Sequence, residues 1–143
     1  MVSQAAFVAF ALLMFSVVSA ETLNNPFQRV SVIQVKPAQV DANISAMQRQ
    51  GCHNWRLSKS QVQRFFALSQ IEEARAIHDH YYWLPCRVNG EISDAAGQRW
   101  QFSINAAAHA TVWMQGNEPE VHLGCAQPGC AALSRIMPDQ PGE

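Results

Sequence analysis

The chain has no cluster of basic residues. Ten Lys and Arg stand against eleven Asp and Glu, for a net charge of −1 over 143 residues. Phosphate contacts dominate nucleic-acid affinity, so this balance argues against a nucleic-acid partner. It argues equally against electrostatic docking to anionic lipid. There is no Gly-rich loop to cradle a phosphate and no Gly-x-Ser-x-Gly elbow to present a nucleophile. Cys-x-x-Cys is also absent, and no two cysteine pairs stand at zinc-ligand spacing. No repeat or low-complexity tract interrupts the chain, and no cofactor is expected.

An uninterrupted apolar run of about 20 residues, the length that spans a bilayer, is missing too. What stands at the N-terminus is shorter. Ala5 to Phe15 (AAFVAFALLMF) is apolar throughout, and the first twenty residues hold no charged side chain. Val18-Ser19-Ala20 then puts short side chains ahead of Glu21, the pattern of a signal-peptide cleavage site. The segment Met1–Gln4 departs from that pattern, since its terminal amine is the one positive charge. Residues 1–20 are read as a cleaved signal peptide, with an uncleaved N-terminal anchor as the alternative. No Cys follows the cut, so neither a lipid anchor nor a stable membrane anchor is expected afterwards. The address is periplasmic or secreted. Residues 21–133 are expected to form one small domain, large enough for a single core. Residues 134–143, with Pro138, Pro141 and Gly142, are expected to be a disordered tail.

Four cysteines remain: Cys52, Cys86, Cys125 and Cys130. In an exported domain an even number reads as a disulfide framework. Pro128-Gly129 is a turn signal that folds Cys125 toward Cys130, leaving Cys52 for Cys86. The chain-entropy argument assigns about 4 kcal/mol to the longer loop and about 2 kcal/mol to the shorter.

The strongest local signal is Ser58-Lys59-Ser60-Gln61, a capping box with Leu57 and Val62 as hydrophobic staple. Val62, Phe65 and Phe66 share one face, which predicts a helix from Lys59 to about Gln70. Upstream, the stretch from Val30 to Val35 alternates as a strand and Pro37 ends it. Val40, Ile44 and Met47 have helical spacing that Gly51 is expected to stop. Ser69 and Glu72 could cap a second helix, or residues 74–83 could already be strand. From Tyr81 the chain reads as β. Cys86, Val88 and Ile92 share one face, then Asp94-Ala95-Ala96-Gly97 turns, and Trp100, Phe102 and Ile104 repeat the alternation. Residues 111–115 and 120–125 add two strands, and Asn105–Ala110 (NAAAHA) is a close-packing bend. The predicted fold is α+β: one amphipathic helix packed on an antiparallel β meander of four or five strands, stapled by disulfides.

Two groups of residues invite a functional role. His78-Asp79-His80, if in a strand, would turn both imidazoles to one face as weak metal candidates, with His122 or His109 as a third ligand. A buried Asp79 fixing an imidazole would also be half of a catalytic triad, although no nucleophile is apparent. Against this stands a plain polar elbow. The second group is Tyr81-Tyr82-Trp83, where alternation exposes at least one ring, Tyr82 in preference to Trp83. Trp55, Trp100 and Trp113 complete an aromatic-rich set. Asn43-Ile44-Ser45 fits a glycosylation sequon, a three-residue pattern of little weight. The leading expectation is a non-enzymatic binding protein, of inhibitor or immunity type, that docks another envelope or extracellular protein. Asp79, His80, Tyr82 and Trp83 are its candidate contact residues. A small metal-dependent or hydrolytic enzyme built on His78, Asp79 and His80, or a structural envelope component, are the alternatives.

Overall fold

In the computed structural model the described residues are 25–134. The expected signal peptide, and the expected tail beyond Ser134, lie outside them. Four long strands run in sequence as an antiparallel meander: β4 (Cys86–Ser93), β5 (Arg99–Asn105), β6 (His109–Met114) and β7 (Asn117–Gly124). Shorter strands extend both sides. On one, β1 (Ser31–Val35) and β2 (Gln39–Val40) pair with β4; on the other, β3 (Gln70–Glu72) pairs with β7. The order is β1-β4-β5-β6-β7-β3, with β2 beside β4.

Strict alternation in β4 explains the layering. Cys86, Val88, Gly90 and Ile92 are buried, and the residues between them are half-exposed. The register sets Val88 opposite Ile104 and Gly90 opposite Phe102. It continues from Phe102 to Val112 and from Ala110 to Leu123, so one sheet face is apolar across four strands. Against that face lies the helix α2 (Lys59–Leu68), whose Val62, Phe65 and Phe66 are fully buried. Its capping box forms as predicted: Ser58 Oγ accepts from the Gln61 amide at 3.2 Å, and Gln61 Oε1 accepts from the Ser58 amide at 2.8 Å. Phe66 meets Phe65 and Phe102 edge-to-face, with centroids 5.5 and 5.7 Å apart. The β4–β5 turn is fixed by Asp94, whose Oδ1 accepts from the Ala96 and Gln98 amides and whose Oδ2 accepts from Trp100 Nε1. Gly90 is required where it stands. A Cβ there would overlap the Gln34 carbonyl oxygen and the Phe102 ring, beside the register shift between Val32 and Gln34.

Both expected cysteine pairs are made. Cys52 joins Cys86 with Cα atoms 5.4 Å apart, and Cys125 joins Cys130 at 5.9 Å. The first ties α1 (Ala46–Asn54) to the start of β4. The second ties the end of β7 to α4 (Pro128–Ser134), which Trp55 Nε1 holds through the Leu133 carbonyl at 2.9 Å.

Several expectations need correction. The predicted single helix is one of four among the described residues, and the strands number seven. Gly51 does not stop its helix, because α1 has its own capping box at Ser45 and Gln48 and runs on to Asn54. Pro128-Gly129 opens α4 instead of making a tight turn. Proline at a first helical turn loses no hydrogen bond, so the dipeptide serves either purpose. Ser69 caps nothing downstream; its hydroxyl turns back to the Phe65 carbonyl at 2.6 Å, and β3 follows. Of the two alternatives after Ser69, a second helix or a strand over 74–83, the chain takes the helix, and α3 (Ala74–His80) starts after Glu73 rather than at Ser69.

Candidate binding site

Alternation leaves the second sheet face to the residues between the core positions. At the end of that face near the β5–β6 turn, Asn105 pairs with His109, and His109 pairs with Gly124. Here α3 delivers the chain, and the stretch 81–85 crosses the strand ends before β4 begins. The hydroxyl end of the Tyr81 ring sits on Gly124, where any Cβ would overlap it. Its hydroxyl donates to Glu72 Oε1 at 3.2 Å. Burial, aided by the Glu72 carboxylate, pushes the Tyr81 phenol up to about 12, so it stays a donor at any ordinary pH.

The next two rings are largely exposed. Tyr82 is 86% exposed and Trp83 67%, the former the more open of the two. Their backbone is nevertheless fastened. His109 Nε2 bonds the Tyr82 carbonyl at 3.0 Å, and the His109 ring meets Trp83 edge-to-face with centroids 4.5 Å apart. Asn105 grips Leu84 on both sides. Its Oδ1 accepts from the Leu84 amide at 3.2 Å, and its Nδ2 donates to the Leu84 carbonyl at 2.9 Å. The same Oδ1 accepts from Ala107, which shapes the turn. One residue further on, the Pro85 carbonyl accepts from the Asp41 amide and Cys86 enters its disulfide. Two exposed aromatics are thus held between a helix end and a covalent link.

Asn105 and His109 are buried polar residues, and their bonds to the loop satisfy them. A carbonyl accepts and cannot donate, so His109 carries its proton on Nε2 and leaves Nδ1 bare. Burial is the main reason its pKa lies below the ordinary histidine value of 6.5; His122 adds to the effect and the Tyr82 carbonyl opposes it. Below pH 6.5 the unfolded chain therefore takes up a proton that the folded one refuses. His109 stability is complete above that pH and declines as pH falls toward its own lower value. The limit for one proton is about 1.4 kcal/mol per pH unit. Denaturant titrations between pH 7 and pH 5 are expected to show a shallower pH slope in His109→Gln than in the parent chain. Parallel slopes would rule this assignment out.

The other candidates separate. His78, Asp79 and His80 all lie exposed on α3. Helical residues two apart stand about 200° apart around the axis, so the two imidazoles do not share a face as a strand would have arranged. Asp79 bonds His78 Nδ1 at 3.1 Å and lies 3.6 Å from Arg75, and these neighbours, His78 first, hold its carboxyl below the usual range. An exposed Asp79 does not provide the buried carboxylate that a triad needs. His122 instead lies against Thr111 Oγ1 at 3.3 Å, and His109 is committed to Tyr82. Among the described residues no group of three His, Cys, Asp or Glu side chains is placed to hold a metal ion. Sequence reasoning missed Asn105 and His109 as the braces of the aromatic loop. The available signal was a pair of polar residues flanking Ala106, Ala107 and Ala108 at positions where a hairpin sets them opposite each other.

Set beside known protein families, curated proteins and solved structures, the chain matches none.

Proposed function

We propose that this is an exported, non-enzymatic binding protein that docks another envelope or extracellular protein through Tyr82 and Trp83, in the manner of an inhibitor or immunity protein. The observation that carries the proposal is the bracing of two largely exposed aromatic rings by the buried side chains of Asn105 and His109. Exposed tyrosine and tryptophan supply wide contact area with few rotatable bonds, and such residues dominate binding hot spots. A loop already fixed loses little freedom on docking. Two disulfides and the apolar leader support an oxidising compartment, periplasmic or secreted. Among the described residues no helix is long and apolar enough to cross a membrane. Asp79 and His80 stand at the end of α3, next to the aromatic pair in sequence, and complete the proposed contact as a polar rim. The alternative, a metal-dependent or hydrolytic enzyme on His78, Asp79 and His80, draws no support from a helix that turns the two histidines to different faces.

The test is capture from exported fractions on immobilised protein. One partner is expected at near-equal stoichiometry, with affinity about thirtyfold weaker or more for Tyr82→Ala/Trp83→Ala, a hot-spot-sized loss. No specific partner across matched extracts, or a partner held equally by the double variant, would overturn the proposal.

A further inference from the structure

Beyond His109 the outer sheet face carries groups that the protein-docking proposal does not use. Strand alternation puts Thr111 and Trp113 on the same side of β6 as His109. Ser103 and Gln101 of β5 pair with them in turn, and His122 of β7 pairs with Thr111 on the other flank. A strip results, bounded at one end by Trp83 against His109 and at the other by Trp113. His109 to Trp113 is four strand steps, about 13 Å. Between the two indoles stand hydroxyl, amide and imidazole groups, all half-exposed.

The strip itself holds no carboxylate, ammonium or guanidinium. Such groups lie at its margins: Glu91 pairs with Arg99 at 3.1 Å, Glu72 accepts from Tyr81, and Glu120 stands exposed on β7 two residues before His122. A charged ligand would find no counter-charge in the middle. An apolar ligand would strand the hydroxyl of Ser103 and the amide of Gln101 without partners, while Thr111 Oγ1 keeps its bond to His122 Nδ1 at 3.3 Å. A chain of sugar rings meets both demands. Its C–H faces cover aromatic planes, and its hydroxyls exchange hydrogen bonds with neutral side chains that both donate and accept. We infer that this strip binds an uncharged oligosaccharide, extended along β6 from Trp83 to Trp113. The site is independent of protein docking and meets it only at Trp83.

The experiment is isothermal calorimetry of the purified protein with neutral hexasaccharides of glucose and of N-acetylglucosamine. At least one is expected to bind saturably. Trp113→Ala should weaken it about tenfold or more, and Trp113→Phe, which keeps an aromatic plane, should stay within about threefold. Met47→Ala, at an exposed position on α1 outside the strip, should bind sugar as the parent does. The assignment is overturned if no probe binds at millimolar concentration, or if binding is indifferent to Trp113→Ala. It is overturned as well if Trp113→Ala abolishes capture of a protein partner while no sugar binds, because the strip then belongs to the protein contact.

Discussion

Replacing Cys52 and Cys86 together by alanine is expected to lower the free energy of unfolding by about 4 kcal/mol, measured by urea titration. The bridge spans 34 positions in sequence and closes a long loop, so most of this loss comes from freedom regained by the unfolded chain. A domain of this size has only about 5–15 kcal/mol in total, so the variant should sit near its unfolding threshold at growth temperature. The loss will not be confined to stability. Cys86 is the first residue of β4 and anchors the downstream end of the 81–85 crossing, while both cysteines are about 1% exposed within the core. The aromatic pair should therefore loosen before the sheet melts. A change below about 1 kcal/mol would mean that the unfolded chain stays compact without the bridge.

Asn105→Ala carries the second large effect. One side chain satisfies the Leu84 amide, the Leu84 carbonyl and the Ala107 amide, and its removal strands all three in a part-buried site. Each stranded group costs about 1–3 kcal/mol where water cannot reach it, and partial access here places the total at about 2–4 kcal/mol. The parent and variant unfolding curves give this directly. Asn105→Asp separates the roles, since a carboxylate can still accept from both amides but cannot donate to the Leu84 carbonyl. It should fall between the two, and an Asp variant as unstable as Ala would show that the donated bond matters most.

How far the sequence disclosed this arrangement depends on the kind of signal. The capping box at Ser58 and the alternation from Cys86 to Ile104 are local, so the helix, the hairpin and the inner face of the meander were legible. Both cysteine pairings were legible too, because a separation of 5 positions keeps Cys125 and Cys130 close whether a turn or a helix start lies between them, which leaves Cys52 for Cys86. The helix α3 was not. Residues 74–80 bury Ile77 alone, so no apolar stripe advertises a period, and the sequence leaves helix and strand open where the structure has the helix. The short strands β2 and β3 exist only through pairing with β4 and β7, a long-range condition that no window of sequence contains. Asn105 and His109 escaped for the same reason. Their value lies in Leu84 and Tyr82, 21 and 27 positions away.

The account rests on the aromatic loop being built before any partner arrives. Amide hydrogen exchange at Leu84 in the free protein, followed by NMR, tests this most directly. Held by Asn105, that amide should exchange as slowly as the Ile104 amide in β5 and should speed up in Asn105→Ala. Exchange at the rate of an open loop in the parent protein would mean that Tyr82 and Trp83 are not held ready, and the proposed contact surface would lose its foundation.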